Sequence, residues 1–576
     1  MGELEPEVAA LLRKYALQNA LEYDGQGQVG SVMGRVMGEN ADLRSRAKEL
    51  AGFIAAQVNE ANAMAAEKGL EHIRGLLESE SPDALEKKVK ERREGLPPLP
   101  NAENGEVVLR FAPNPNGPLS LGHARGVVIN TELANMHDGE VILRFDDTDA
   151  VVKRPDPEAY AMIEDDFTWL AGREPDRIIR ASERMDVYLE YAAKTLSESH
   201  AYVCECSAEA FKEFRTTKTA CPCRDRTAED NLNLWQQMND GTILPGGAVV
   251  RIRTDMALKN PALRDWPALR IQHADHPMVG ERYKVWPLLD FQSAIEDHLQ
   301  GVTHIVRGKD LMDSTRKQTL LYEKFGWIYP ETLYWGRVKV HEFGGFSTSQ
   351  MKSDIAEGTY SGWDDPRLPT LRAMRRRGYD AAAMRKFWVD LGLNQKDISV
   401  PLSTLNSLNA KAVDADAPRL SFVREPQTIV LDLSNVELDC VLLPIHPEHP
   451  DKGTRQWPLS MDSITVNIPS EDFTTDGPIR LKDFADIQIH HDTGSRGEVI
   501  RTERVGNTPI IHWLPENMAM PATLMLEEEG ELVIASGLLE TNSHPEGTVV
   551  QLERMGFAIL EGLDENGVRT MVRLHG

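Results

Sequence analysis

A chain of 576 residues with a formal net charge of −26, five cysteines and 41% hydrophobic residues is long enough for several cores, about three to five domains. No apolar run could span a membrane, and the acidic N-terminus lacks the basic and apolar parts of a secretory signal. Five cysteines in so long a chain make no disulfide framework, so the composition predicts a cytoplasmic protein without a membrane partner.

Residues 1 to about 95 read as helices: Val8 to Leu17, a Gly-rich turn between Gly25 and Gly30, then Ala47 to Met64. A charged run, Glu86 to Glu94, precedes Pro97-Pro98-Leu99-Pro100, which reads as a linker. Val107 to Leu109 follows as a buried strand, then Arg110-Phe-Ala-Pro-Asn-Pro-Asn-Gly-Pro-Leu-Ser-Leu-Gly-His123, then Ala124 to Met136 with helical periodicity. The Pro/Gly-rich turn delivers Gly122 and His123 to a helix start, where free N–H groups and the helix dipole favour a phosphate. Gly122 has no Cβ, which lets a flat base approach the backbone. A second strand, Val141 to Phe145, ends in Asp146-Asp147-Thr148-Asp149. Strand, helix and strand with polar residues at the strand ends describe a mononucleotide-binding crossover in an α/β fold.

Farther along, Cys204-Glu-Cys206 and Cys221-Pro-Cys223 stand fourteen residues apart. Two such pairs suit a tetrahedral thiolate site for structural zinc, with four reduced thiols as the alternative. Cys440 lies in a strand-like run and reads as core, and His304, His341 and His446 share no ligand spacing. Between Leu371 and Lys386 stand Arg372, Arg375, Arg376, Arg377, Arg385 and Lys386 against one acid, Asp380. RNA binding needs no more than such a local basic stripe despite the acidic total, although a solvated helix face has the same pattern. After 416, short β-type runs such as Thr428–Leu433 and Ser463–Ile468, punctuated by Gly and Pro, suggest barrels.

The stretch from Arg110 to His123 closely resembles the first nucleotide-binding motif of class I aminoacyl-tRNA synthetases, in the version shared by the glutamate and glutamine enzymes. The family's His-Ile-Gly-His is replaced by Ser120-Leu121-Gly122-His123. The resemblance implies ATP contacts at Asn114, Pro115, Ser120, Gly122, His123 and Arg125, and adenosine contacts at Arg337 and Val338. The second motif, usually Lys-Met-Ser-Lys-Ser, is represented by Ser347-Thr-Ser-Gln-Met-Lys-Ser353, anchored by the downstream Gly362–Arg367. Ser349 falls on the family serine and Gln350 on the family lysine, so Lys352 is expected to supply the cation from a mobile loop. Ser120, His123 and Lys352 are thus the expected catalytic residues. Asp146 aligns with the acid that holds the substrate ammonium, and Arg110 with an arginine near the substrate carboxylates. Arg307 stands where glutamate enzymes carry arginine and glutamine enzymes a cysteine. A buried guanidinium without its carboxylate costs roughly 3–5 kcal/mol, so glutamine should be rejected by at least about a hundredfold. Leu289 departs from the tyrosine common at that place.

The resemblance covers nearly the whole chain. It implies a helical N-terminal domain over 1–100, a Rossmann-like catalytic domain split into 101–200 and 276–345, and an inserted acceptor-binding region at 201–275. A second-motif and helical stem-contact region follows at 346–415, with two anticodon-binding β-barrels at 416–576. Leu443–Pro458 and Ile479–Phe484 resemble the barrels that archaeal glutamate enzymes share with glutamine enzymes, and some bacterial glutamate enzymes bind zinc in the insertion. The implied activity is glutamate–tRNA ligation of the archaeal type. Glutamate and ATP, with Mg2+, give glutamyl-adenylate, and tRNA-Glu accepts the glutamyl group at its 3′ end. Charging of tRNA-Gln stays open. Arg375, Arg376 and Arg377 are the expected tRNA contacts, and a monomer is the expected state. A glutamine–tRNA ligase and a catalytically inactive tRNA-binding relative are the alternatives.

Overall fold

A computed structural model of the chain describes residues 4–81, 84, 95–103, 105–343, 346–460, 462–474, 477–490, 495–528 and 530–576. Two compact units divide between 93 and 94. The charged run Glu86–Glu94 lies outside the described residues.

Among the described residues the first unit holds four α-helices: α1 (Pro6–Glu22), α2 (Val29–Glu39), α3 (Ala47–Lys68) and α4 (Leu70–Glu80). Pro6 opens α1, where a missing N–H costs nothing. Leu12, Ile54, Val58, Ile73 and Leu77 pack in its core. The expected Gly-rich turn is shorter than its glycines suggest, because Gly30 is already helical. Asn19 and Asn62 hold that turn by accepting from the amides of Gln28 and Gly27 at 2.6 and 2.7 Å.

In the second unit, Pro97–Pro100 is no free linker. Leu96 and Leu99 bury themselves in the core that surrounds the helix Leu121–Met136, Leu99 N donates to His137 Nε2, and Pro100 O faces His304 Nε2 at 2.8 Å. The prolines forbid helix, but the leucines still have apolar surface to hide.

From there run β1 (Val108–Phe111), α5 (Leu121–Met136), β2 (Glu140–Phe145), α6 (Pro157–Ala171) and β3 (Arg177–Arg180). The three strands are parallel, with Leu109 opposite Val141 and Leu143 opposite Ile178. Helix α7 (Met185–Ser197) leads into an inserted antiparallel sheet of β4 (Ala201–Cys204), β5 (Val249–Ile252), β6 (Pro267–Ile271) and β7 (Val285–Pro287). Helices α8 (Ala208–Thr217) and α9 (Ala228–Asp240) lie between β4 and β5. The inserted sheet reaches Pro287, beyond the expected boundary at 275, because β7 pairs with β6 before the chain turns into α10 (Leu289–Leu299). Then come β8 (His304–Gly308), α11 (Met312–Phe325) and β9 (Glu331–Trp335), with β8 and β9 parallel.

Thr303 stitches the two parallel groups together. Its N–H donates to Val108 O at 3.0 Å, and its hydroxyl accepts from Val108 N at 2.9 Å. The strand order is therefore β3-β2-β1-β8-β9. Between β1 and β8 the connections leave in opposite directions, which opens a crevice at the carboxyl ends of those strands. Beyond it follow β10 (Val338–Val340), α12 (Thr348–Ala356), α13 (Leu371–Arg377), α14 (Ala381–Leu391), β11 (Ile398–Val400, paired with β10) and α15 (Leu402–Val413).

Among the described residues, the last third forms two seven-stranded sheets that curl until their edges meet, and a two-stranded pair of Cys440–Pro444 with Thr454–Pro458. In one, the edge strands are Arg419–Leu420 and Phe422–Arg424, separated by Ser421 alone. In the other they are Ile510–Ile511 and Leu514–Pro515, separated by His512 and Trp513. One short run of chain thus supplies both edges, which removes the exposed edge pairs of an open sheet.

Candidate active site

Ser120 ends the Pro/Gly-rich turn as the N-cap of α5. Its hydroxyl accepts from His123 N, and His123 Nδ1 accepts from Ser120 N at 3.2 Å, a reciprocal cap built from Ser and His. Leu121 N is taken by Pro369 O, which leaves the amide of Gly122 open at the exposed helix start. The His123 imidazole is held below its usual range, first by lost hydration and then by the charge of Lys153. It is therefore neutral at physiological pH.

The turn is tied down at both ends. Asn114 Nδ2 donates to Asp146 O at 3.0 Å, Asp146 N donates to Pro113 O, and Asp156 N donates to Pro115 O at 2.8 Å. Asn114 Oδ1 is buried and lacks a partner. A Cβ on Gly117 would come within 2.8 Å of Thr348 on α12, so glycine lets the two motifs touch.

Arg125 departs from its expected role. It is buried, with Nη1 and Nη2 spent on the carbonyls of Gly336 and Gly392 at 2.8 and 2.7 Å, and its guanidinium lies over Trp335. Burial lowers its pKa to about 10. Arg125 braces α5 against the segment that carries Arg337; it does not reach into the cleft. Arg337 is exposed, with its N–H bonded to Asp397, and Val338 begins β10 and packs on the catalytic core.

The second motif is helical, where a loop was expected. Ser347 caps α12 by accepting from Gln350 N, which puts Ser349, Gln350 and Lys352 in its first turns. Ser349 is exposed, and Gln350 donates to Asp354. Lys352 Nζ lies 2.6 Å from Asp156 Oδ2, beside the first motif.

Three arginines meet one acid at the crevice. Asp297, fully buried on α10, accepts from Arg144 Nη1 at 2.7 Å and Arg110 Nε at 3.3 Å, and Arg307 Nη2 stands 4.0 Å away. Burial alone would raise the Asp297 pKa; Arg110, Arg144 and Arg307 outweigh that and hold it below the usual range. Arg110 is lowered by burial despite Asp297. Asp146 accepts from Arg144 Nε at 2.8 Å and from Gln292 at 3.1 Å. Arg307 donates to Gln318 and Tyr329, while its Nε is buried without a partner. A cavity of about 180 Å³ opens here, lined by Arg110, Asp146, Leu289, Arg307, Gln318 and Trp335. Three guanidiniums against the carboxylates of Asp146 and Asp297 leave one positive charge over, which favours an anionic guest.

The second acid of the cluster serves the scaffold. Asp147 accepts from Ser182 N, Ser182 Oγ and Tyr160 OH, and is buried. Asp297, Arg144 and Gln292 escaped sequence reading. Arg144 has no sequence signal; for Gln292 and Asp297 the one signal is the polar run Gln292, Ser293, Glu296 and Asp297 within a helix that is buried all round.

The four cysteines converge. Their sulfurs all lie within 4.8 Å of one another, with Cys204 to Cys221 at 3.9 Å and Cys206 to Cys223 at 3.8 Å. A tetrahedral zinc with Zn–S near 2.3 Å needs S···S spacings of about 3.8 Å, so the set fits that ion. The hydrogen bond between Cys204 and Cys221 lowers the Cys221 thiol and raises that of Cys204.

The basic stripe is partly spent within the chain. Arg376 pairs with Glu561 at 2.8 Å, and Arg377 donates to Leu574 O and Pro366 O. Both clamp α13 to the closed sheet around Arg419–Arg424, contrary to their expected role as free tRNA contacts. Arg375, paired with Asp165, stays half-exposed. Long arginines at a helix C-terminus reach neighbouring acids and carbonyls easily, and sequence cannot tell that from an open face.

Residues 106–415 match the family described as tRNA synthetases class I (E and Q), catalytic domain, and residues 417–505 match the anti-codon binding domain of the same family. The chain belongs to this family. It is 44% identical to a glutamate–tRNA ligase of Methanothrix thermoacetophila over 98% of both chains. It is also 44% identical to a glutamate–tRNA ligase of Archaeoglobus fulgidus, over 96% of this chain and 98% of that one. A crystal structure of a glutamate tRNA ligase from Elizabethkingia meningosepticum in complex with its amino acid matches 54% of this chain and 70% of its own, with a TM-score of 0.36 and 20% identity.

Proposed function

We propose that this chain is a glutamate–tRNA ligase. The observation that carries the reading is Arg307: a buried guanidinium on β8, sharing one acid with Arg110 and Arg144, at the crevice between β1 and β8. A side-chain carboxylate supplies the charge that Arg307 lacks, whereas a neutral amide leaves it unmatched. Asp146, which lines the same cavity, suits the substrate ammonium.

ATP lies across Gly122, with its phosphates toward the open helix start and Lys352 drawn from Asp156 onto them. The α-carboxylate of glutamate attacks the α-phosphate, the bond to pyrophosphate breaks, and glutamyl-adenylate forms. A terminal ribose hydroxyl of tRNA-Glu then takes the glutamyl group and AMP leaves. Positioning and charge do the work. Magnesium belongs with the ATP phosphates, whose oxygens suit that hard cation. Zinc is assigned to Cys204, Cys206, Cys221 and Cys223, where it would tie the inserted region together. No helix among the described residues is long and apolar enough to cross a membrane; ATP and tRNA place the reaction in the cytoplasm.

Pyrophosphate exchange with tRNA present, run with glutamate and with glutamine, tests the reading. Exchange with glutamate supports it; strong exchange with glutamine alone overturns it, and no charging at all favours the inactive tRNA-binding relative. Charging of separate tRNA-Glu and tRNA-Gln transcripts fixes the acceptor range.

A further inference from the structure

We propose that Asp166 is a positioning residue for ATP: its carboxylate, flanked by Arg372, fixes the backbone of the first motif at Leu119, so ATP binding weakens when that carboxylate takes up a proton. The inference rests on ATP lying at Ser120–His123, as proposed above.

The first motif reaches its helix cap through a short ladder. Leu371 N donates to Leu119 O at 2.8 Å, Leu121 N donates to Pro369 O at 2.8 Å, and Ser120 bridges Thr370. Those anchors join backbone to backbone and do not titrate. The remaining anchor does: Leu119 N donates to Asp166 Oδ2 at 3.0 Å, one residue before the cap. Asp166 lies on α6, 1% exposed, and Leu119 is fully buried. Arg372 Nε stands 3.7 Å from the other carboxylate oxygen, an ion pair too long for a hydrogen bond.

The groups facing Asp166 come from three elements. Asp165 is its neighbour on α6, Arg372 and Arg375 face it from α13, and the first motif presents the Leu119 amide. Burial is the strongest influence and pushes Asp166 up to about 7, with the Leu119 amide and the two arginines opposing and Asp165 adding. The carboxylate therefore titrates in the physiological range. Ionised, it makes a charge-assisted bond to Leu119; protonated, its oxygen is a weaker acceptor. Leu119, Ser120 and Gly122 then lose their fixed spacing, while Arg307 and the amino-acid pocket do not move.

The test is the pH profile of KM for ATP against kcat, by pyrophosphate exchange at saturating glutamate and tRNA, for the wild type and Asp166→Asn. The amide still accepts from Leu119 but does not titrate. Between about pH 8 and about pH 6 the wild-type KM for ATP should rise roughly fivefold relative to the variant, with the kcat ratio flat. Taking the ratio of the two enzymes removes the titration of ATP and of His123. Parallel KM profiles overturn the proposal. Should Asp166→Asn fail to fold, Arg372→Gln decides: removing that positive charge should move the wild-type inflection to higher pH, and an unmoved or lowered inflection overturns it. The amino-acid preference in the same assay reports separately on the functional reading.

Discussion

Lys352 Nζ stands 2.6 Å from Asp156 Oδ2, and Asp156 N in turn donates to Pro115 O in the first motif. The one lysine near the family's second-motif position is thus parked on an acid that belongs to the ATP turn. Half of its side chain is exposed, so exchanging Asp156 for a phosphate moves a solvated ammonium over a short distance and needs no rebuilding of the helix.

Replacing Lys352 with alanine should lower kcat for pyrophosphate exchange by a factor of several hundred, the equivalent of about 3–4 kcal/mol at the transition state. The ATP KM should change far less. Unaltered kcat in an active wild-type background would remove Lys352 from the mechanism and return attention to Gln350.

Arg307→Gln keeps a polar partner for Gln318 and Tyr329 but removes the charge. Glutamate kcat/KM should fall by at least about a hundredfold, because the substrate carboxylate then enters a pocket without its counter-charge. Discrimination against glutamine should shrink at the same time. Steady-state exchange with each amino acid measures both.

Purified protein should contain about one zinc per chain. Cys221→Ser should lose it and melt at lower temperature, since ligand binding to the folded state is itself folding free energy. Metal analysis with thermal denaturation checks this, and a metal-free wild type with an unchanged melt would identify the four sulfurs as reduced thiols packed together.

The parts of this molecule that could be read from sequence are those whose chemistry is local. A strand, a Pro/Gly turn and Gly122-His123 at a helix start announce a phosphate cradle, because cap and dipole depend on a few consecutive residues. Closure of the last two sheets was readable as barrels only in outline; the return of one short run, around Ser421, to both edges is a register fact. What the sequence hides has one cause. Sequence presents Arg125, Arg376 and Arg377 as open ligand arms, whereas each spends donors on carbonyls or acids far away in sequence, such as Gly392 and Glu561. Asp297 was invisible because a buried acid on a helix resembles a solvated one until three arginines from β1, β2 and β8 arrive around it.

Arg376→Ala separates those two roles. The Arg376–Glu561 pair is about three-quarters buried on both sides, so the variant should lose roughly 1–3 kcal/mol of stability. The salt dependence of tRNA binding should keep its slope, whereas a phosphate contact would reduce it by about one. Denaturant unfolding and filter binding across ionic strength give both readouts.

His575 makes the fold itself pH-sensitive. Its ring contacts Tyr379 and Phe557, and its Nε2 faces Asn409 Nδ2 at 3.1 Å, which joins the last strand to α15. Burial lowers its pKa from 6.5 to about 4, so the folded chain keeps it neutral while the unfolded chain protonates it near 6.5. The unfolded state then binds more protons across that interval, and stability present above pH 6.5 is lost as the pH falls toward 4. Asp166, raised in the folded state, acts in the opposite sense below about 7, so the wild-type curve alone mixes the two. The comparison with His575→Gln isolates the histidine. Between about pH 7.5 and about pH 5 the wild type should lose on the order of 1–3 kcal/mol more than the variant in denaturant unfolding, and coincident slopes would place the acid sensitivity elsewhere.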